Sequence, residues 1–260
     1  MTFYQTIYGD HILSYYERII FTLRAASNNY PRTLVLRVDL HDPAIIEHGD
    51  MVTCFHNYHR GVMNRFINSL SAKLIAHRQR TAQSGKRVYP NTLRYAWVRE
   101  FSQTGKRHFH VLLMFNKDAF FHLGDYDIEN NTLRTMITTA WCTALGEPPE
   151  LGQHWVHYPD NGKYTLHKQD VDRNMYPDDL MERIHYMTKV KSKSFHDGYR
   201  NFGCSELLSN VVYGVGQAAF LSDSSSTCTP SLNFTLFTTN VSSANPLSRF
   251  HFFFATSSSL

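Results

Sequence analysis

The chain has 260 residues, 42% of them hydrophobic and 18% charged, with a formal net charge of +4. That is enough chain for one substantial core, and the composition excludes collagen-like, disulfide-rich and wholly disordered classes. No stretch reaches the ~18 consecutive apolar residues of a membrane span, and no basic patch leads into a long apolar run as in a signal peptide.

His11 to Ala26 has helical spacing, with Ile12, Tyr15, Tyr16, Ile19 and Leu23 forming one apolar stripe that ends at Asn28-Asn29-Tyr30-Pro31. Thr33 to Leu40 (TLVLRVDL) reads as a strand. A long helix is expected from about Val52 to Gln83, its end marked by the basic residues Arg78, Arg80, Lys86 and Arg87. Two strands follow, Leu93–Glu100 and Arg107–Phe115, joined by a linker with the turn signal Ser-Gln-Thr-Gly. A helix over Thr132–Leu145 is stopped by Gly146 and the Pro148-Pro149 pair. Trp155–Tyr158 and Lys163–His167 flank Pro159-Asp160-Asn161-Gly162, which predicts a β-hairpin. The last helix starts at Pro177, continues with Asp178 and Asp179 where the helix dipole favours acids, and is expected to run to Val190. The order β-α-β-β-α-β-β-α describes an α+β domain: an antiparallel sheet with flanking helices.

After Ser205 the character changes. Residues 206–260 hold eighteen Ser or Thr and only Glu206, Asp223 and Arg249 as charged groups. This segment is expected to be a poorly ordered or foreign tail beyond a domain spanning 1–205. That domain retains 25 basic against 20 acidic residues, a balance that suits a polyanionic ligand. Cys54, Cys142, Cys204 and Cys228 show no paired spacing, so free thiols in a reducing, cytoplasmic setting are expected.

Chemistry concentrates in three short segments. In Arg107-His108-Phe109-His110-Val111-Leu112-Leu113-Met114 two histidines stand one residue apart at the head of an apolar run. Strand alternation points His108 and His110 to one face and Phe109 to the other. Folding the two strands together brings Glu100 beside the histidines, giving one carboxylate and two imidazoles around one divalent cation. Such mixed ligation tolerates Mg²⁺ or Mn²⁺, the latter better matched to two nitrogens. Tyr186-Met187-Thr188-Lys189 offers a nucleophile with a cation one helical turn away. On that helix Leu180, Ile184 and Met187 form the core stripe, whereas Glu182, Tyr186, Lys189 and Lys193 form a second stripe aimed elsewhere. The set predicts metal-assisted cleavage of a phosphodiester by a tyrosine, with Tyr186 and Lys189 catalytic and Glu100, His108 and His110 on the metal. Lys191, Lys193, Arg107, Arg78 and Arg80 are the expected DNA contacts.

Other groups carry less. Cys54, His56 and His59 open an amphipathic helix without the second ligand pair of a zinc site. His185, about 100° around the helix from Tyr186, is expected to be a surface histidine. No G-x-x-x-x-G-K-[ST] occurs, so the chain is not a P-loop ATPase or helicase.

These three segments resemble the HUH endonucleases, the superfamily of rolling-circle replication initiators. More closely, TLVLRVDLHDP, LRYAWVREFSQTGKRHFHVLLMFNKDAFFHLGDY, RIHYMTKVKS and YRNFGCS resemble the YagK/YfjJ group of prophage-encoded proteins, which are similar to filamentous-phage initiators. The likeness covers most of Thr33 to Ser205. It implies an RRM/ferredoxin-like nuclease core that nicks and rejoins single-stranded or hairpin origin DNA through a 5′-phosphotyrosine. It further implies a bacterial, nucleoid-associated protein working with a host helicase and polymerase. Two rivals stay open. One is a single-tyrosine transposase, against which Lys189 and the long Val52–Gln83 helix argue. The other is a prophage DNA-binding regulator without cleavage.

Overall fold

The protein is described by a computed structural model covering residues 2–6, 9–43, 61–103, 105–124 and 130–205. The expected tail 206–260, the first turns of the long helix, and Cys54, His56, His59 and Cys228 lie outside the described residues. Among the described residues, Cys142 and Cys204 are free thiols, and no helix is long and apolar enough to cross a membrane.

The fold is α+β. β3 (Arg32–His41), β4 (Arg94–Phe101) and β5 (Arg107–Asn116) are the long strands, and β5 lies between the other two, antiparallel to both. Its run Phe109–Asn116 is buried without interruption, as a central strand covered on both faces must be. Leu34, Leu36, Val38 and Leu40 of β3 join Phe109, Val111, Leu113 and Phe115 on one face. There they pack against α2 (Val62–Gln83) and α3 (Leu133–Leu145). Val35, Val98, Leu112 and Met114 line the other face beneath α1 (Leu13–Ser27) and α5 (Asp178–Thr188). α3 begins at Thr132, whose side chain accepts from the Thr135 amide, and stops at Gly146, which takes a φ of 80° where a side chain would be strained.

The expected 155–167 hairpin is corrected. β6 (Val156–His157) and β7 (Lys163–His167) do not pair with each other; both lie antiparallel on β3, opposite Asp39–Leu40 and Arg32–Leu36. The Asn-Gly turn therefore does not reverse the chain. Asn161 takes a φ of 56° and Gly162 accepts from the Arg37 amide at 2.7 Å, so residues 158–162 loop out from one interrupted edge strand beside Arg37.

Further elements had no strong sequence signal. β1 (Phe3–Thr6) and β2 (Gly9–Ile12) form an N-terminal hairpin, so α1 starts at Leu13 rather than His11. A short α4 (Lys168–Asp172) follows β7, and β8 (Phe202–Cys204) pairs with β4 at the far edge. α5 ends at Thr188, not Val190, and Lys189 already has an extended ψ of 145°.

Candidate active site

The strand registers assemble the site row by row. His41, His108 and Glu100 lie directly across from one another on β3, β5 and β4; the next row is Asp39, His110 and Val98. All belong to the face covered by α1 and α5. Suitable ligand atoms of Glu100, His108 and His110 all fall within 4.8 Å of one another. His110 Nε2 stands 3.7 Å from Glu100 Oε2, a separation at which the two could serve as ligands of one cation.

Two observations speak to how the residues fit a cation. His110 Nε2 is buried with no hydrogen-bond partner, a costly arrangement for a polar atom unless something else satisfies it. The other ring nitrogen is fixed from behind: Nδ1 lies 2.7 Å from Asp39 Oδ1. Asp39 only accepts and so favours the proton on Nδ1, whereas Arg37 Nη2, a donor 2.9 Å from the same nitrogen, works against it; with the proton on Nδ1, Nε2 presents its lone pair toward Glu100. Arg37 braces this carboxylate, Nε donating to Oδ1 at 3.0 Å and Nη2 reaching Oδ2 at 3.4 Å. Burial works to raise the Asp39 pKa, but the hydrogen bond to His110 and the charge and hydrogen bond of Arg37 outweigh it and hold it well below the usual carboxylate range. His108 lies half-buried between two imidazoles, stacked on His41 at 5.7 Å and edge-on to His110 at 4.9 Å. Burial, then its imidazole neighbours, lowers the pKa of His108 and brings His41 to about 4. Both rings are thus neutral near pH 7, and for His108 that is the form that binds metals.

Glu100 is 1% exposed and fully engaged. Its Oε1 accepts from Lys193 Nζ at 3.0 Å, and its Oε2 accepts from Ser192 Oγ at 2.8 Å and faces Lys189 Nζ at 3.3 Å. Burial works to raise its pKa, but contact with His110 and the lysine charges bring it down to about 2. Ser192 reaches it from a left-handed backbone, φ 78°, in the segment after α5. That segment is anchored on both sides: the Val190 amide donates to Asp10 O, and the Phe101 amide to Ser192 O.

α5 delivers Tyr186 to this cluster. Its apolar stripe, Leu180, Ile184 and Met187, is buried against the sheet, which leaves Tyr186 37% exposed at the rim. The Tyr186 ring meets His110 edge-on at 5.4 Å between centroids, with Arg37 Cζ 5.4 Å and Lys189 Nζ 3.2 Å from its centre.

The structure thus brings Glu100, His108, His110, Tyr186 and Lys189 together. The expected DNA contacts separate. Lys193 is corrected: it lies beyond α5, its side chain is fully buried, and its ammonium donates to Glu100, Met187 O and Lys189 O. Lys191 is exposed near the site. Arg107 projects to the opposite sheet face, where it binds Asp42 at 2.7 Å, and the exposed Arg78 and Arg80 sit on α2, also across the sheet. None of these three shares the Tyr186 face. His185 is corrected as well; rather than a surface residue it is half-buried, stacked on Tyr16 at 5.6 Å and within 3.1 Å of Tyr4 Oη. Arg37, Asp39 and His41 are the site residues that the motif search missed. The signal for Arg37 and Asp39 was two charges, two residues apart, inside the apolar run TLVLRVDL; His41 follows that run directly.

The model of the YagK/YfjJ C-terminal domain matches residues 2–205. The chain is 45% identical to the uncharacterized protein YagK of Escherichia coli (strain K12) over 207 residues, covering 80% of this chain and 99% of the relative. It is 44% identical to the uncharacterized protein YfjJ of the same strain over 206 residues, covering 78% and 98%. No solved structure matches it. On that span and identity, the chain belongs to the YagK/YfjJ C-terminal domain family.

Proposed function

We propose that the chain is an HUH-type, metal-dependent tyrosine endonuclease and strand transferase that initiates rolling-circle replication. One observation carries the reading: the Tyr186 ring lies against His110, on the sheet face where Glu100 and His108 converge with it. An antiparallel sheet with the histidine strand at its centre suits the RRM/ferredoxin-like core of that superfamily, and the likeness to filamentous-phage initiators belongs to the same proposal.

Glu100, His108 and His110 would hold a divalent ion, Mn²⁺ or Mg²⁺, which would supply Lewis-acid polarisation of a nonbridging oxygen of the scissile phosphate. Everything else falls to the chain. Asp39, itself braced by Arg37, favours the ligating tautomer of His110. Tyr186 Oη gives up its proton and bonds to phosphorus, while the bond to the 3′-oxygen breaks and that oxygen takes a proton. The DNA is left as a 5′-phosphotyrosine and a free 3′-hydroxyl. Lys189, beside the Tyr186 ring, neutralises charge on the phosphate. The released 3′-hydroxyl is a primer, which is why a host polymerase and helicase are the expected partners, with single-stranded or hairpin origin DNA as substrate. Attack by that hydroxyl on the phosphotyrosine reverses the step and rejoins the strand.

The test is a denaturing gel of the protein with Mn²⁺ and labelled single-stranded oligonucleotides from its own genomic neighbourhood. A covalent adduct, absent from Tyr186→Phe and His110→Ala and abolished by EDTA, is the expected result. Tight binding with no adduct on any sequence would replace this reading with a DNA-binding regulator.

A further inference from the structure

The charges around Glu100 do not balance for a divalent ion. One carboxylate already faces two ammonium groups, Lys193 at 3.0 Å and Lys189 at 3.3 Å. The two lysines are not equivalent. Lys193 has spent its three N–H donors on Glu100 Oε1, Met187 O and Lys189 O, with no side-chain exposure. It is tied to Oε1, the carboxylate oxygen that does not face His110 Nε2. Lys189 is 13% exposed and faces Oε2, the same oxygen that lies 3.7 Å from His110 Nε2. A cation bridging Glu100 and His110 needs that oxygen. It would share that oxygen with the Lys189 ammonium 3.3 Å away, placing two like charges on one carboxylate oxygen in a buried site, where they repel. Lys189 has somewhere else to go, since its Nζ already rests 3.2 Å from the centre of the Tyr186 ring.

We propose that Lys189 is an internal cation competing with the divalent ion for Glu100 Oε2, so that metal binding releases its ammonium to the Tyr186 side of the site. The inference rests on the reading of Glu100, His108 and His110 as a metal centre. Until the ion arrives, Lys189 and Ser192 hold the carboxylate in its ligating position. Once the ion takes Oε2, the ammonium is freed at the tyrosine, where a phosphate is to be bound. Metal loading and activation of the tyrosine pocket thereby become one event.

The experiment is calorimetric titration of the full chain with MnCl₂, without DNA, for wild type, Lys189→Met, Lys189→Arg and Glu100→Gln. Competition predicts that Lys189→Met binds Mn²⁺ roughly tenfold tighter than wild type. Lys189→Arg, which keeps the charge, should bind no tighter than wild type, and Glu100→Gln should lose binding. Should Lys189→Met fail to fold by circular dichroism, Lys189→Gln takes its place with the same expectation. Unchanged or weaker binding in the neutral variant, with Glu100-dependent binding in wild type, overturns the exchange and leaves the metal centre standing. No Mn²⁺ binding by wild type or neutral variant removes the metal centre and the exchange together.

Discussion

Asp39 Oδ1 lies 2.7 Å from His110 Nδ1, directly across the β3–β5 register, while Nε2 of the same ring points to Glu100. The relationship is directional: a carboxylate behind the ring draws the proton to Nδ1 and leaves the lone pair on Nε2, against the Arg37 Nη2 donor 2.9 Å from the same nitrogen. Asp39→Asn keeps size and shape but lets the side chain donate through its amide, so the ring can take the opposite tautomer. Mn²⁺ affinity is expected to fall about 10–100-fold, as is usual when such a supporting partner is lost, and the thermal unfolding midpoint should fall as well, because Arg37 is left buried without its anionic partner. Calorimetric titration beside a melting curve checks both; an unchanged affinity would detach Asp39 from the site.

Lys193 and Glu100 form a buried pair in which each is costly without the other. Lys193→Met removes one charge, leaves Glu100 with Ser192 and Lys189, and strips the Met187 and Lys189 carbonyls of their donor. Removing one member of a buried ion pair typically costs ~3–5 kcal/mol. Because two partners remain on Glu100, a loss of about 3 kcal/mol in urea unfolding is expected. The double variant Lys193→Met/Glu100→Gln should be less destabilised than the sum of the two singles, which a double-mutant cycle measures. Strict additivity would show the pairing to be energetically idle.

What could be read from the sequence follows the periodicities. Strand alternation put His108 and His110 on one face, and the hairpin between β4 and β5 brought Glu100 across from His108, because both rules depend only on local geometry. Helical spacing likewise separated the buried Leu180, Ile184 and Met187 from Tyr186. Lys193 was misplaced since the same periodicity gives no stop signal: α5 ends at Thr188, and the chain then turns to follow β4. The 155–167 segment failed for another reason. Asn161-Gly162 announces a left-handed turn, but whether a turn reverses a chain or bulges out of one strand is decided by the neighbour, here β3. Arg37 and Asp39 were legible as an anomaly, two charges in an apolar strand, without a partner until the register supplied His110.

Gly162 marks that bulge. A Cβ there would stand 2.8 Å from Pro159 O and 3.4 Å from Arg37 O, with backbone on both sides and no flexible side chain to give way. Gly162→Ala should cost about 1–3 kcal/mol through forced backbone shift. Because the displaced strand carries Arg37 beside Asp39, Mn²⁺ affinity should fall too. Urea unfolding and metal titration on one variant link the two effects; destabilisation with unaltered metal binding would confine Gly162 to the fold.

The N-terminal hairpin holds the tyrosine helix through a buried histidine. His11 has no solvent exposure, and its two ring nitrogens lie 3.0 Å from Thr188 Oγ1 and 2.6 Å from Thr6 Oγ1. Tyr4 stacks on the ring at 5.0 Å and itself reaches His185 and Thr188. Burial, then the nearby His185, lowers the His11 pKa from 6.5 to about 4. A lowered histidine pKa means that the unfolded chain binds the proton first. The stability that His11 contributes is therefore complete above pH 6.5 and is lost as the pH falls toward 4, an effect of about 2–3 kcal/mol. His41, His108 and His185 are shifted the same way, so acid destabilisation should not vanish in a single variant. His11→Gln is expected to be less stable than wild type at pH 7 but to lose less between pH 7 and 4.5. Urea unfolding at pH 7, 5.5 and 4.5 checks it; parallel losses in both proteins would mean that His11 does not titrate in this window and that the hairpin's grip on α5 is indifferent to acid.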